Sequence, residues 1–132
     1  MLVAEAMQSD VVTVRPDDTV ARAVVVLADA HVSGVAVVDS RGRLAGALSS
    51  SDLLIAEAEA SSPEARERLF RDTPVEEIMT RNPLTISPEA TVKEAARQML
   101  YADVHRLFVL LDDRLVGVIS RSDAAQVLAT SR

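Results

Sequence analysis

The amino-acid sequence predicts an α+β fold built from two copies of a β-α-β-β-α unit, related by a pseudo-twofold axis. Three observations lead there. The first is an internal repeat: Met7, Thr13, Pro16, Thr19, Val20 and Ala23 recur as Met79, Thr85, Pro88, Thr91, Val92 and Ala95, an offset of 72. Leu44, Gly46, Ser49, Ser51 and Asp52 then recur as Leu115, Gly117, Ser120, Ser122 and Asp123, an offset of 71. The missing residue falls between "VVDSRGRL" and "VLLDDRL", polar stretches that read as turns and absorb a deletion at little cost. The second observation is that short β-branched runs alternate with helically spaced apolar residues in the same order in both copies. The third is that the strands are almost continuously apolar, the pattern of a sheet covered by helices. The period is longer than that of common solenoid repeats, so two copies imply a duplication. Residues 1–60 are assigned to copy one, 61–74 to a partly helical linker and 75–132 to copy two.

Each element follows from its residues. "VVTV" (11–14) and "LTI" (84–86) are short strands. Pro16 or Pro88 follows, then Thr19 or Thr91, an N-cap residue. "VARAVVVLADA" and "VKEAARQML" place apolar residues on one helical face. "GVAVVD" (34–39) and "LFVLLD" (107–112) are strands, joined by "SRG" or "DDR" to "LAGALS" (44–49) or "LVGVIS" (115–120) as hairpins. "SDLLIAEAEA" and "SDAAQVLATS" supply a closing helix in each copy. In the linker, Ser62-Pro63-Glu64 has the composition of a helix start, and Glu64, Arg66, Glu67 and Arg68 suit a solvated helix without chemistry.

Composition narrows the function. The 132 residues suit one ordinary domain, and a single copy would bury too little surface to be secure alone. Two Phe, one Tyr and no Trp leave the core to aliphatic residues and Met, and offer little for base stacking. A formal charge of -6 gives no electrostatic footprint for a nucleic-acid polymer, although a single nucleotide needs only one or two cations. With no cysteine, disulfides, thiolate metal sites and a Cys nucleophile are excluded. The N-terminus lacks a secretory pattern and no apolar run is long enough to cross a membrane. Elimination therefore points to a cytoplasmic protein.

The repeated Ser-x-x-Asp, in "GALSSSD" and "GVISRSD", has two readings. One is a helix cap, with Ser49 or Ser120 capping the helix and Asp52 or Asp123 reaching back to the cap's N–H. The other is a ligand seat, because a helix N-terminus offers free N–H groups to phosphate and a carboxylate can accept from both hydroxyls of a vicinal diol. The readings are compatible, and duplication copies caps as faithfully as sites. His31 ends the first long helix, where a cation suits the dipole. Glu57 and Glu59 suit a solvated face, and Asp112-Asp113 suits a turn. No cluster has metal-ligand spacing, so neither a metal nor a required cofactor is expected.

The order of these elements resembles a tandem pair of cystathionine-β-synthase (CBS) domains, a Bateman module. The shared elements are the leading Met, the Pro-[Asp/Glu]-x-Thr-Val helix start, the strand ending in Asp, and Gly followed by two apolar residues and Ser-x-x-Asp, all present twice and spanning nearly the whole chain. The resemblance implies two repeats with sheets facing each other and helices outside. It also implies a homodimer, regulation of an unidentified effector protein, no catalysis, and AMP, ADP, ATP or S-adenosylmethionine as a regulatory ligand in the cleft between the repeats. It assigns ligand contact to Ser49, Asp52, Ser120, Arg121 and Asp123, and to the strand entrances at His105-Arg106 and Ser33. By the crossed geometry of such modules, Ser49 and Asp52 would join His105 and Arg106, whereas Ser120, Arg121 and Asp123 would join Ser33. The first set has the His-Arg strand entrance, which Ser33-Gly34 lacks, and is expected to hold phosphate more tightly. One departure is that Ala36 and Phe108 stand where the family often has Pro, which implies a local change in the floor of the site. The alternative to a ligand sensor is a dimerisation or protein-interaction module with no physiological small ligand. An enzyme is disfavoured by two unrelated His residues and no dense catalytic cluster.

Overall fold

The structure, a computed structural model, describes residues 1–130. In chain order its elements are α1 (Val3–Ala6), β1 (Thr13–Val14), α2 (Val20–Ala30), β2 (Gly34–Val38), β3 (Leu44–Ser49), α3 (Ser50–Glu59), α4 (Pro63–Asp72), a 3-10 turn (Val75–Glu77), β4 (Thr80–Arg81), β5 (Thr85–Ile86), α5 (Val92–Tyr101), β6 (Arg106–Leu111), β7 (Arg114–Ser120) and α6 (Arg121–Thr130). The α+β class and the order β-α-β-β-α in each copy are as the sequence predicts. The chain forms two compact units, one of residues Val12–Asn82 and one of Met1–Val11 together with the chain from Pro83 onward.

In the Val12–Asn82 unit the sheet runs β1-β2-β3-β4. Strand β1 is parallel to β2, and β2 and β3 form the antiparallel hairpin. Helix α2 starts where Thr19 Oγ accepts from the N–H of Arg22 at 3.1 Å. It buries Val20, Ala23 and Leu27, the one-in-three-or-four spacing of a core-facing stripe. It ends at His31, which takes the left-handed conformation at φ 55° and lets Val32 N–H close onto the Leu27 carbonyl at 3.2 Å. The hairpin turn is held by Asp39, whose carboxylate accepts from the N–H groups of Arg41 and Arg43 at 2.8 and 3.0 Å. Those backbone donors, Arg43's foremost, hold the Asp39 carboxyl below the usual carboxylate range. In the linker, Ser62 caps α4 by accepting from Ala65 N–H at 3.0 Å.

The second unit repeats this plan, with sheet order β5-β6-β7. Thr91 caps α5 through Glu94 N–H at 3.1 Å, and the helix buries Val92, Ala95 and Met99. The turn between β6 and β7 consists of Asp112 and Asp113 at φ 51° and 65°. Two consecutive left-handed residues make a tight two-residue hairpin, whereas the first hairpin carries the extra residue around Gly42 at φ 80°. That difference is the change of offset from 72 to 71.

At the departure from the family's Pro, Ala36 N–H donates to the Val12 carbonyl at 3.2 Å and Phe108 N–H to the Leu84 carbonyl at 3.3 Å. A proline would supply neither donor, so here these positions gain hydrogen bonds to the chain leading into β1 and β5.

The compact units and the sequence copies do not coincide. Residues ahead of β1 build onto copy two. Val3 is fully buried in the core with Val92, Ala95, Met99, Leu107 and Ile119, and Gln8 exchanges backbone hydrogen bonds with Val118 at 2.8 and 3.0 Å. Reciprocally, Val75 joins the core of Val14, Ala23, Leu27, Val35, Val37 and Leu48, and β4 pairs antiparallel with β3. Each unit thus takes its lead-in segment from the other copy. The seat is a glycine: a Cβ at Gly117 would lie 2.5 Å from Met7 Sδ, and one at Gly46 would lie 2.6 Å from Met79 Sδ. The repeated Met and Gly are a lock whose two halves lie in different copies.

Candidate functional site

Ser-x-x-Asp stands at the junction of strand and helix in both units, because β3 and β7 run directly into α3 and α6. At the first, Asp52 N–H donates to Ser49 Oγ at 3.2 Å and Ser49 N–H donates to Asp52 Oδ2 at 2.9 Å. Ser49 Oγ–H also points to Asp52 Oδ2, at 3.1 Å. At the second, Asp123 N–H donates to Ser120 Oγ at 3.1 Å and Ser120 N–H to Asp123 Oδ2 at 2.9 Å. Both are reciprocal capping boxes, built with Asp in place of the longer Glu. All four side chains are half-buried. Because the box uses the backbone side of Oδ2, lone pairs on the carboxylate rim are left for other donors.

Two further residues reach that rim, and sequence reasoning missed both. Thr80 Oγ–H donates to Asp52 Oδ1 at 3.1 Å, with Oδ2 at 3.4 Å. Gln8 Nε2 donates to Asp123 Oδ1 at 3.3 Å. Gln8 and Thr80 are one residue past Met7 and Met79, so they are equivalents in the repeat. The repeat marked their positions, but a Gln paired with a Thr hid their common role.

The strand entrances fall beside the caps of their own units. Ser33 is exposed, and its carbonyl accepts from Ser50 N–H at 2.9 Å and Ser50 Oγ–H at 3.3 Å. His105 is exposed at the equivalent place, and its carbonyl accepts from Arg121 N–H at 2.9 Å. Arg106 opens β6, half-buried, in register with Ser120. Hence Ser33, Ser49 and Asp52 belong to one unit, and His105, Arg106, Ser120, Arg121 and Asp123 to the other.

Arg121 is turned back onto the end of α5. Its Nε donates to the Val104 carbonyl at 2.9 Å, and its Nη2 reaches the Met99 carbonyl at 3.2 Å and Asp103 Oδ1 at 3.4 Å. The guanidinium thereby binds one carbonyl in the last turn of α5 and one just past it, and ties α6 to α5. Ser50, its equivalent in copy one, has no such reach. His31 aligns with Asp103, both left-handed residues just past a helix, and so not with His105. Among the described residues no group of three or more His, Cys, Asp or Glu is arranged to hold a metal, and no helix is long and apolar enough to cross a membrane.

This geometry has counterparts in known proteins. A CBS domain-containing protein of Dictyostelium discoideum is 35% identical over 132 residues, covering 97% of this chain and 91% of that protein. Inosine-5'-monophosphate dehydrogenase of Methanocaldococcus jannaschii is 31% identical over 121 residues, but the match covers 90% of this chain and only 22% of the enzyme. Among solved structures, CBSX2 in complex with AMP, a CBS-pair protein of Arabidopsis thaliana, superposes with a TM-score of 0.83 at 26% identity, covering 99% of this chain and 98% of that one. The family model of the CBS domain matches residues 3–59 and again 75–130, the two copies of the repeat, and the chain accordingly belongs to the CBS domain family.

Proposed function

We propose that this chain is a cytoplasmic regulatory module that binds an adenine nucleotide or related adenosyl ligand, catalyses nothing itself, and passes its occupancy to a partner protein, acting as a homodimer. The observation that carries the reading is the carboxylate built twice at a helix N-terminus, at Asp52 and Asp123, with acceptor capacity facing away from the cap. Such a carboxylate suits the two hydroxyls of a ribose, and the N–H groups of Ser51 and Ser122, in the first turns of α3 and α6, suit a phosphate. The likeness to CBSX2, a protein solved with AMP, supports the adenosyl class.

In this reading Ser49 and Ser120 contact ribose or phosphate, Arg106 supplies positive charge and His105 a ring N–H donor, and Ser33 lines the copy-one strand entrance. Arg121 would have to leave the Met99 and Val104 carbonyls to reach a ligand. One observation favours the alternative, an interaction module without a small ligand: both oxygens of Asp52 already have protein donors.

A melting-temperature panel with AMP, ADP, ATP, S-adenosylmethionine and NADH separates the two. A ligand at 100 times its dissociation constant adds about 2.7 kcal/mol of stability. An adenosyl ligand that raises the melting temperature supports the sensor. Silence across the panel overturns it.

A further inference from the structure

The function proposed above does not require that anything hold the lead-in segments to the carboxylates, yet in both units something does. Thr80 and Gln8 occupy equivalent places in the repeat, differ in chemistry, and donate to the same oxygen, Oδ1, of Asp52 and Asp123. Each sits at the end of a lead-in segment whose buried anchor, Val3 or Val75, lies five residues earlier, and the pairing beside each donor is short. β4 is two residues long, and Gln8 makes a single bridge to Val118. The methionine before each packs on a glycine. Both donors are exposed, so they are open to competition.

We infer that Thr80 and Gln8 are latches: positioning residues that couple the state of each carboxylate to the seating of its lead-in segment. A carboxylate offers about four lone-pair sites, and on Asp52 the Ser49 and Thr80 donors already use most of them. A diol that takes both lone pairs of Oδ1 displaces the Thr80 hydroxyl from Asp52, or the Gln8 amide from Asp123, and the segment loses a hydrogen bond that holds it down. The chain runs from Gln8 to the start of the other compact unit at Val12, and from Thr80 to the return at Pro83. The latches thus stand close to both points where the chain passes between units. The ligand step rests on the function proposed above; the coupling itself does not.

Amide hydrogen exchange tests the coupling without ligand. Exchange at residues 79–81 is expected to rise about two- to tenfold in Thr80→Val, the loss of one modest hydrogen bond, and to stay at the wild-type rate in Thr80→Ser, which keeps the hydroxyl. In an Asp52→Ala background Thr80→Val is expected to add nothing, because the partner is gone. Equal acceleration by Thr80→Val with and without Asp52, or equal rates in Val and Ser variants, overturns the latch. Should Asp52→Ala fail to fold, the Val and Ser pair decides alone. Adding AMP to the wild-type chain is expected to accelerate exchange at residues 79–81 and at Gln8 and Val118. Heat of AMP binding with unchanged exchange there also overturns the latch. No heat of binding instead overturns the proposed ligand, and leaves the coupling to be decided by the ligand-free variants.

Discussion

Replacing Gly46 with alanine tests the lock between the copies. Gly46 is buried in β3, and its backbone is not in the left-handed region, so alanine is conformationally allowed. On that count alone the change would stabilise by about 0.4–1 kcal/mol through a less flexible unfolded chain. The added Cβ, however, would lie 2.6 Å from Met79 Sδ and 2.7 Å from the Thr80 carbonyl oxygen. A methionine can swing away, but a backbone carbonyl moves only with its segment. Overpacking of this kind costs about 1–3 kcal/mol. The net expectation is a loss of about 1–2 kcal/mol, or roughly 4–8 °C in melting temperature for a chain of this size. At Gly117 the nearest atom is again a methionine sulfur, at 2.5 Å, but the carbonyl of Gln8 is at 3.0 Å. Gly117→Ala should therefore cost clearly less. Met79→Ala in the Gly46→Ala background should recover part of the loss and leave the carbonyl clash. Thermal and urea unfolding of the wild type and these three variants measures this order. A Gly46→Ala protein as stable as wild type, or a larger loss at Gly117, would refute the lock.

Two further outcomes follow from single side chains. Arg121→Ala is expected to cost about 1–2 kcal/mol, the lower part of the range for hydrogen bonds to charged groups, because the guanidinium is one-third exposed at 33%. Arg121→Lys should recover less than half of it for want of the planar fork. Loss of AMP affinity in Arg121→Ala with unchanged melting would instead assign this side chain to the ligand. Asp39, held below the usual carboxylate range by the N–H groups of Arg43 and Arg41, contributes stability above its unfolded pKa and loses it as pH falls through the lower folded value. The gap in melting temperature between wild type and Asp39→Asn should therefore be widest near neutral pH and close in acid. A gap independent of pH would contradict this.

The fold was legible because duplication wrote each element of the β-α-β-β-α unit twice. A cap such as Thr19 gains weight when Thr91 follows the same proline, and the strands from Gly34 and Leu44 are confirmed by their partners from Arg106 and Arg114. The lead-in exchange was not legible. Met7 and Gly46 share a copy, and nothing local distinguishes Met7 on Gly46 from Met7 on Gly117; long-range packing decides it. The candidate site was half legible. Ser-x-x-Asp announced the cap through its spacing. Gln8 and Thr80 reach the same carboxylates across 115 and 28 residues, a separation that sequence periodicity does not encode. Arg121 read as a cation for a ligand because it lies inside the motif, yet its side chain is long enough to find helix-end carbonyls first.

Calorimetric titration of AMP into the wild-type chain and into the Asp52→Ala/Asp123→Ala double variant tests the central claim most directly. Saturable heat in the wild type and its loss in the double variant, with the fold retained by circular dichroism, is the predicted result. Equal binding by both proteins would contradict the assignment of these carboxylates, and no heat from either would contradict AMP as the ligand.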